Sequence, residues 1–171
     1  MIYVPAEDSY LMAEILEKNL LDKKFKIFEM GVGSGYLLES LKKRGFESLS
    51  GVDINKEAVG LCRKKGLDIF YSDLFSNVNE KFDAIIFNPP YLPKDLREDD
   101  ESSLATTGGK KGSEVINEFL SQARKHLLPN GKIFLLVSSL TSGIKWLDYK
   151  KKILGEKKLF FEKLEVWELS L

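Results

Sequence analysis

The chain has 171 residues, with 26 basic and 26 acidic side chains and a formal net charge of zero. That length favours one domain of residues 1–171, and the balanced charge argues against strong direct binding to nucleic acid, because phosphate-binding domains are usually basic. The chain has one cysteine, Cys62, and one histidine, His126, so it can form neither a disulfide framework nor a zinc site with four Cys/His ligands. A single free cysteine and the absence of a long apolar run predict a cytoplasmic protein without a membrane span.

Amphipathic segments alternate with short apolar segments along the chain. Helices are predicted at 9–21, where Asp8-Ser9 would form the cap, and at 35–45, 55–66 and 112–127, with a short one near Ile144–Leu147. Strands are predicted at 26–30, 49–54, 67–73, 82–88, 130–138, 149–154 and 164–170. This alternation predicts βαβ units and a mostly parallel sheet, and the continuously apolar strands indicate that helices cover both of its faces.

Polar or glycine-rich elements follow four successive predicted strands, at Glu29–Gly35, Asp53, Asp73 and Asn88. Ligands bind beyond the carboxyl ends of the strands in such sheets. Glycines at 31, 33 and 35 allow close approach of a ligand, although a tight strand-to-helix turn would also explain them. Asp53 can accept both hydroxyls of a ribose, or it can cap the helix that starts at Asn55.

Asp73 and Leu74 complete a pattern that fits a nucleoside. The Asp73 carboxylate can accept from an exocyclic adenine amine, and Leu74 can pack against the ring. The chain has no phosphate-binding G-x-x-x-x-G-K-[ST] loop, and no arginine lies near Asp53 to bind a 2′-phosphate. A nucleoside cofactor without phosphates points to S-adenosylmethionine rather than to NAD.

Asn88-Pro89-Pro90-Tyr91, after the fourth strand, is the most specific motif in the chain. The prolines have no N–H and a fixed φ, so this turn presents carbonyl acceptors in place, and Asn88 adds a side-chain oxygen. Such acceptors suit a planar –NH2 group, and the ring of Tyr91 can stack on it. They would orient a poorly nucleophilic amide or aryl nitrogen toward the methyl group of a sulfonium. A simple strand terminator is the structural alternative.

Together these residues resemble the HemK-type S-adenosylmethionine-dependent protein glutamine N5-methyltransferases. The similarity is greatest to the archaeal and eukaryotic branch that modifies class I translation termination factors. It extends over nearly the whole chain, in segments 3–9 (YVPAEDS), 29–35 (EMGVGSG), 53–55, 73–75, 88–93 (NPPYLP) and 158–162 (KLFFE). The Asn-Pro-Pro-Tyr motif alone also occurs in amino-methyltransferases of DNA and RNA, so the two terminal segments narrow the assignment.

The resemblance implies a Rossmann-like class I methyltransferase fold, with a mostly parallel seven-stranded sheet whose last strand is antiparallel. It implies that residues 88–91 hold the glutamine amide of a Gly-Gly-Gln motif in a release factor. It also implies a small zinc-binding activator subunit that adds a strand to the sheet. The chain departs from the family at Thr106, where a tryptophan usually precedes the Gly-Gly pair. The implied contacts with S-adenosylmethionine are Ser9, Glu29, Gly31, Gly33, Asp53, Asp73, Leu74 and Asn88.

Two other functions fit part of this pattern. An N6-adenine methyltransferase of DNA or RNA could use the same motif at Asn88 on a base amine, but the zero net charge counts against it. A cofactor-binding scaffold that acts only through its partner would have no use for the acceptor pair. The sequence therefore predicts an enzyme that transfers a methyl group from S-adenosylmethionine to a glutamine side chain of a release factor.

Overall fold

Seven strands and four helices make up the part of the chain, residues 2–90, 109 and 112–171, that the computed structural model describes. The strands are β1 (Ile27–Met30), β2 (Leu49–Asp53), β3 (Asp68–Tyr71), β4 (Phe82–Phe87), β5 (Leu127–Ser138), β6 (Lys150–Lys158) and β7 (Lys163–Ser170). The helices are α1 (Glu7–Asn19), α2 (Tyr36–Lys43), α3 (Lys56–Lys64) and α4 (Glu114–Ala123), which a short 3-10 turn follows. None of these helices is long and apolar enough to cross a membrane.

The strands form one sheet in the order β3-β2-β1-β4-β5-β7-β6. Strands β1 to β5 pair in parallel, and β7 is antiparallel to both β5 and β6. The predicted seven-stranded, mostly parallel sheet with an antiparallel last strand is confirmed. The strand order reverses between β1 and β4, where Met30 lies opposite Phe87. Ligands bind at such a switch point in open α/β sheets, so the carboxyl ends of these two strands define where to look for a site.

Helices cover both faces of the sheet, as the apolar strands predicted. Alternate strand residues point to opposite faces, so Ile27 and Ile86 contribute to one hydrophobic cluster while Phe28 and Ile85 contribute to the other. Helices α1, α2 and α3 pack on the first face, and α4 packs on the second. The sheet is therefore buried between two layers, and its carboxyl edge is the accessible part of these strands.

Two glycines that precede or follow α2 make a matched test of packing. Both have left-handed φ, but a Cβ on Gly35 would lie 2.9 Å from buried Cys62 and Leu67, whereas a Cβ on Gly45 would meet no atom within 4 Å. We expect Gly35→Ala to lower the free energy of unfolding by about 2–4 kcal/mol, and Gly45→Ala by about 1–2 kcal/mol, because only the first adds overpacking to backbone strain. Urea denaturation measures both values, and equal losses would contradict the packing argument.

Two local predictions are wrong. The helix α1 begins at Glu7 after Ala6, and no side chain caps it, so Asp8-Ser9 lie inside its first turn. Residues 141–149 contain no helix, because Asn117 of α4 holds this segment: its Nδ2 donates to the Gly143 carbonyl at 3.0 Å, and its Oδ1 accepts from the Lys145 N–H at 2.7 Å. The following strand, β6, ends at Lys158, four residues beyond its predicted end.

Candidate active site

The glycine loop turns the chain across the end of β2. The N–H groups of Gly31 and Val32 both donate to the Val52 carbonyl, at 2.8 and 3.1 Å. Gly31 and Gly33 have φ values of +67° and +51°, which side chains disfavour. A Cβ on Gly33 would lie 3.8 Å from Cβ of Tyr3, so the loop faces the N-terminal segment. The left-handed backbone at Gly31 and Gly33 therefore brings the loop close to Phe87 and Tyr3 without side chains of its own at these two positions.

Asp53 is tied to this loop by its carboxylate. Its Oδ2 accepts from the Gly33 N–H at 2.8 Å, and its Oδ1 accepts from the Asn55 N–H at 2.7 Å. Burial raises the pKa of Asp53 above its ordinary value, while these backbone donors act in the opposite direction. Asn55, rather than Asp53, is the N-cap of α3 and accepts from the Glu57 N–H at 2.9 Å. The second-strand acid is therefore not the cap of that helix.

Glu29 is a buried acid on β1, directly before the glycine loop. Burial is the main cause that raises its pKa well above the ordinary value, and the charge of Asp53 adds to it, while the Leu38 N–H lowers it by donating to the carboxylate. Its Oε2 is buried and has no hydrogen-bond partner among the described residues. Such an atom is costly unless something donates to it, so Glu29 fits a ligand that carries N–H groups or positive charge.

Asn88, at the end of β4, is held by an acid 80 residues earlier in the chain. Its Nδ2 donates to Oδ2 of Asp8 at 3.2 Å, and its own Oδ1 is buried without a partner in the described part of the chain. A carboxylate only accepts, so this contact fixes which way the Asn88 amide faces. Pro89 is buried beside it. The turn therefore holds an oriented, buried acceptor without a described partner at the carboxyl edge of the sheet.

Asp8 was missed as a site residue by sequence reasoning, which assigned it to a helix cap. It is 4% exposed, and both of its oxygens accept from the hydroxyl of Tyr3, at 2.8 Å each. Its Oδ1 also accepts from the N–H of buried Ser9 at 2.6 Å. Tyr3, Asp8 and Asn88 thus form one connected group, and Tyr3 links it to the glycine loop. The available signal was the acid inside segment 3–9, which the family resemblance had already singled out.

Asp73 and Leu74 follow β3 at the same edge of the sheet. Asp73 is exposed, and Leu74 is half-buried with a φ of +44°. Ser72 holds this turn, because its hydroxyl donates to the Leu74 carbonyl at 2.7 Å and accepts from the Asn77 N–H at 3.1 Å. A left-handed leucine costs about 1–3 kcal/mol, so the surrounding contacts must enforce it. Tyr91, the last residue of the proline motif, lies outside the described residues.

Cys62 and His126 lie on opposite faces of the sheet. Cys62 is buried among α1, α2 and α3, and burial, with a smaller contribution from the charge of Glu29, raises its pKa to about 11. It is therefore a thiol of the core rather than a nucleophile. His126 stacks on Phe75 with ring centroids 4.4 Å apart. No cluster of three or more potential metal ligands occurs within residues 2–90, 109 and 112–171.

Comparison with known proteins decides the family. The methyltransferase small domain family matches residues 7–154. The chain belongs to this family. A Methanocaldococcus jannaschii protein with the provisional name protein N5-glutamine methyltransferase is 39% identical, over 98% of this chain and 92% of that protein. The release factor glutamine methyltransferase of Lactococcus lactis is 32% identical, over 75% of this chain and 53% of that protein, so the chain spans about half of this bacterial relative.

Solved structures agree with this assignment. One chain of the E. cuniculi Mtq2–Trm112 complex, described as methylating the termination factor eRF1, matches with a TM-score of 0.80 and 27% identity, over 98% of this chain and 97% of that chain. Methanocaldococcus jannaschii Trm5, solved with adenosine, shares the fold alone, with a TM-score of 0.63 and 16% identity over 99% of this chain and 49% of its own length. The resemblance, the fold and the methyltransferase class predicted from the sequence are confirmed.

Proposed function

We propose that this methyltransferase modifies the side-chain amide nitrogen of a glutamine in a Gly-Gly-Gln segment of a class I translation release factor. The observation that carries the proposal is the buried, unpartnered Oδ1 of Asn88, whose orientation Asp8 fixes. An acceptor of this kind suits a planar N–H donor, and the names of the relatives support a glutamine amide. Residues 1–171 would form one catalytic domain that acts in the cytoplasm, where translation ends.

The residues present fit S-adenosylmethionine as the methyl donor. The ammonium group of the cofactor would donate to Oε2 of Glu29, which is buried without a described partner. Gly31 and Gly33 have no side chains, so the cofactor could approach the backbone of the loop closely. The two Asp53 oxygens accept from the backbone N–H groups of Gly33, Ile54 and Asn55, and a carboxylate has about four lone-pair sites, so it can still accept from a ribose hydroxyl. In this proposal Asp73 and Leu74 contact the adenine, and Ser9 completes the site. When bound, this cofactor supplies an electrophilic methyl group on a positively charged sulfur.

The protein's part in the reaction is to orient a poor nucleophile. An amide nitrogen has a conjugated lone pair, and Oδ1 of Asn88 with the carbonyl of Pro89 would hold its two hydrogens. This geometry aims the lone pair at the methyl carbon and stabilises the positive charge that develops on nitrogen. With the cofactor bound, a carbon–nitrogen bond would form as its carbon–sulfur bond breaks, and the alkylated nitrogen would then lose one proton to water. Tyr91 is proposed to stack on the amide plane.

The titration of Glu29 gives a testable pH dependence. Because its pKa is raised in the free protein, Glu29 retains its proton at pH values where an ordinary glutamate is ionised. A neighbouring ammonium favours the ionised form, so cofactor binding should release a proton, and affinity should rise with pH until Glu29 is ionised in the free protein. Calorimetry in buffers of different ionisation enthalpy measures this release. Affinity independent of pH, without proton release, would contradict the assignment.

Two matched variants distinguish a specific effect of Glu29 on cofactor binding from the general effect of removing one negative charge. Glu29→Gln should weaken cofactor binding about tenfold and abolish the proton release, because a neutral amide cannot titrate. Glu14→Gln is the control, since Glu14 is exposed on α1 and contacts Lys18 at 2.6 Å, away from the glycine loop. It should leave both the affinity and its pH dependence unchanged.

The open edge at β3 suits the proposed activator subunit. Tyr71 on β3 and Ile54 after β2 are 43% and 41% exposed, so apolar surface lies beside an edge strand. The opposite edge, β6, has five lysines and one glutamate in nine residues, and such charge discourages pairing with another strand. A small protein that adds a strand along β3 would cover Tyr71 and Ile54. The zinc site belongs to that partner in this proposal.

A methyl-transfer assay with labelled cofactor tests the proposed function. The substrates are a class I release factor, its glutamine-to-alanine variant in the Gly-Gly-Gln segment, and an adenine-containing oligonucleotide, each with and without the small partner. Label should enter the unmodified factor only, and the partner should increase the rate. Label on the oligonucleotide and not on the factor would overturn the proposal in favour of a nucleic-acid methyltransferase.

A further inference from the structure

The tip of the β6–β7 hairpin carries two aromatic side chains that are almost fully exposed to solvent. Phe160 and Phe161 are 92% and 84% exposed, and their rings pack edge to face with centroids 4.6 Å apart. Isolated exposed apolar residues are common, but two adjacent phenylalanines at a loop tip are costly in water unless something covers them. The hairpin closes tightly, because the Leu159 N–H donates to the Glu162 carbonyl at 2.8 Å.

This tip projects from the same edge of the sheet as the candidate active site. Phe87 of β4 lies opposite Leu135 of β5, and β5 continues to Ser138, which lies opposite Leu164 of β7. The strand spacing and the rise per residue then place the tip on the order of 20 Å from Asn88, beyond the carboxyl edge. A glutamine side chain bound at Asn88 cannot reach that far, but the body of a protein that carries it can.

Helix α1 contacts both the β6–β7 hairpin and the candidate active site. Asp8 contacts Asn88, and the preceding residue, Glu7, forms an ion pair with Lys157 of the hairpin. A Cβ on Gly155 would lie 2.4 Å from Cδ1 of Ile15, so α1 and β6 are in close contact. The hairpin end is also fixed to β5, because the Ser138 hydroxyl donates to Glu162. The position of the two rings relative to the acceptor is therefore set by packing rather than by a free loop.

The charge around the tip specifies the chemistry of what covers it. Three of the five lysines of β6, residues 150–152, lie at the end of the strand away from the tip, opposite residues 168–170 of β7. Lys157 and Lys163 have acidic partners within the protein, whereas exposed Lys158 stands next to the aromatic pair. An apolar tip with one unpaired lysine beside it is complementary to an apolar patch that has an acidic residue next to it.

We propose that Phe160 and Phe161 form a docking site for the body of the protein substrate, at an apolar surface of the release factor that has an acidic residue for Lys158 and lies next to its methylated loop. This inference rests on the proposed function and deepens it: the acceptors at Asn88 bind the amide that is methylated, and the hairpin tip binds the protein that carries this amide. The tip is at the opposite side of the sheet from the β3 edge, so substrate and activator would not compete for the same surface.

A double variant, Phe160→Ser with Phe161→Ser, tests the docking site on the full chain with its partner. The KM for the intact release factor should rise about 10–100-fold while kcat at saturation stays the same, because docking contributes to binding and not to the chemical step. Lys158→Glu should raise the same KM in the same direction. Leu21→Ser, which removes an apolar side chain that is 73% exposed at the far end of α1, is the control and should change neither constant.

A five-residue Gly-Gly-Gln peptide provides the second arm. Two residues on either side of the glutamine extend about 7 Å, so the peptide cannot reach the tip, and the double variant should turn it over as the wild type does. An unchanged KM for the factor, a fall in its kcat, or an equal loss with peptide and factor would each overturn the docking site. Self-association of the wild type that the double variant abolishes would also overturn it, in favour of a second copy. A wild-type enzyme that leaves the factor unmethylated would refute the proposed function as well.

Discussion

Replacing Asn88 with alanine is expected to lower kcat by about 10²–10³-fold, while affinity for S-adenosylmethionine changes by at most about tenfold. The side-chain oxygen of Asn88 is a buried acceptor without a partner among the described residues, at the carboxyl edge of β4. Its loss would leave the substrate nitrogen held on one side only, so the lone pair would no longer be aimed at the methyl group. Rates come from single-turnover transfer to the release factor, and affinity comes from calorimetry.

The fold should survive this substitution. Asp8 keeps the hydroxyl of Tyr3 and the N–H of Ser9 as donors when Asn88 is removed, so it is not left buried without a partner. Asn79→Ala, at an exposed position outside the site, is the matched control and should retain full activity. Retained turnover in Asn88→Ala, with an unchanged denaturation midpoint, would remove Asn88 from the chemistry.

Asp8→Asn is expected to lower kcat by about 10–100-fold and to leave the KM for the cofactor unchanged. The substitution keeps the shape of the side chain and its ability to accept from Tyr3, but an amide can also donate. Asn88 could then present either its oxygen or its nitrogen to the substrate, and a fraction of the molecules would offer a donor where an acceptor is needed. Under this proposal Asp8 would be a positioning residue that acts through Asn88.

Two measurements distinguish positioning from a structural role. Asp8→Asn should change the free energy of unfolding by less than about 1.5 kcal/mol, whereas Asp8→Ala should lose about 2–4 kcal/mol, because it leaves Tyr3 and Asn88 without their buried acceptor. Glu14→Gln, on the exposed face of the same helix, should change neither stability nor kcat by a measurable amount. If kcat in Asp8→Asn fell only in proportion to the unfolded fraction, Asp8 would have no part in orienting Asn88.

The sheet could be predicted because the sequence features that indicate its strands and helices lie within each element. Strands β1 and β4 are mostly apolar segments with a glycine or a proline within two residues of their ends, and the helices between strands end at glycines such as Gly45 and Gly66. Parallel pairing then follows from the alternation of strands and helices. The same rule places Glu29, Asp53 and Asn88 at neighbouring strand ends, so the edge that carries the site was also predictable from the sequence.

The features that the sequence did not predict depend on contacts between distant segments. The role of Asp8 follows from a hydrogen bond to a residue 80 positions away, which no local spacing reveals. The expected helix near Ile144–Leu147 is absent because Asn117 engages the backbone of that segment, and Trp146 packs against Trp167 with centroids 4.9 Å apart. Strand β6 was underestimated because its lysines are exposed at a sheet edge and show no apolar pattern.

Tandem mass spectrometry of the release factor, after reaction with the wild-type enzyme, its partner and the cofactor, locates the transferred methyl group and so tests the proposed glutamine modification. We expect one added methyl group on the side-chain nitrogen of the glutamine in the Gly-Gly-Gln segment, absent when Asn88→Ala replaces the wild type. A methyl group on any other residue of the factor, or on an adenine of a nucleic acid in place of the factor, would contradict it.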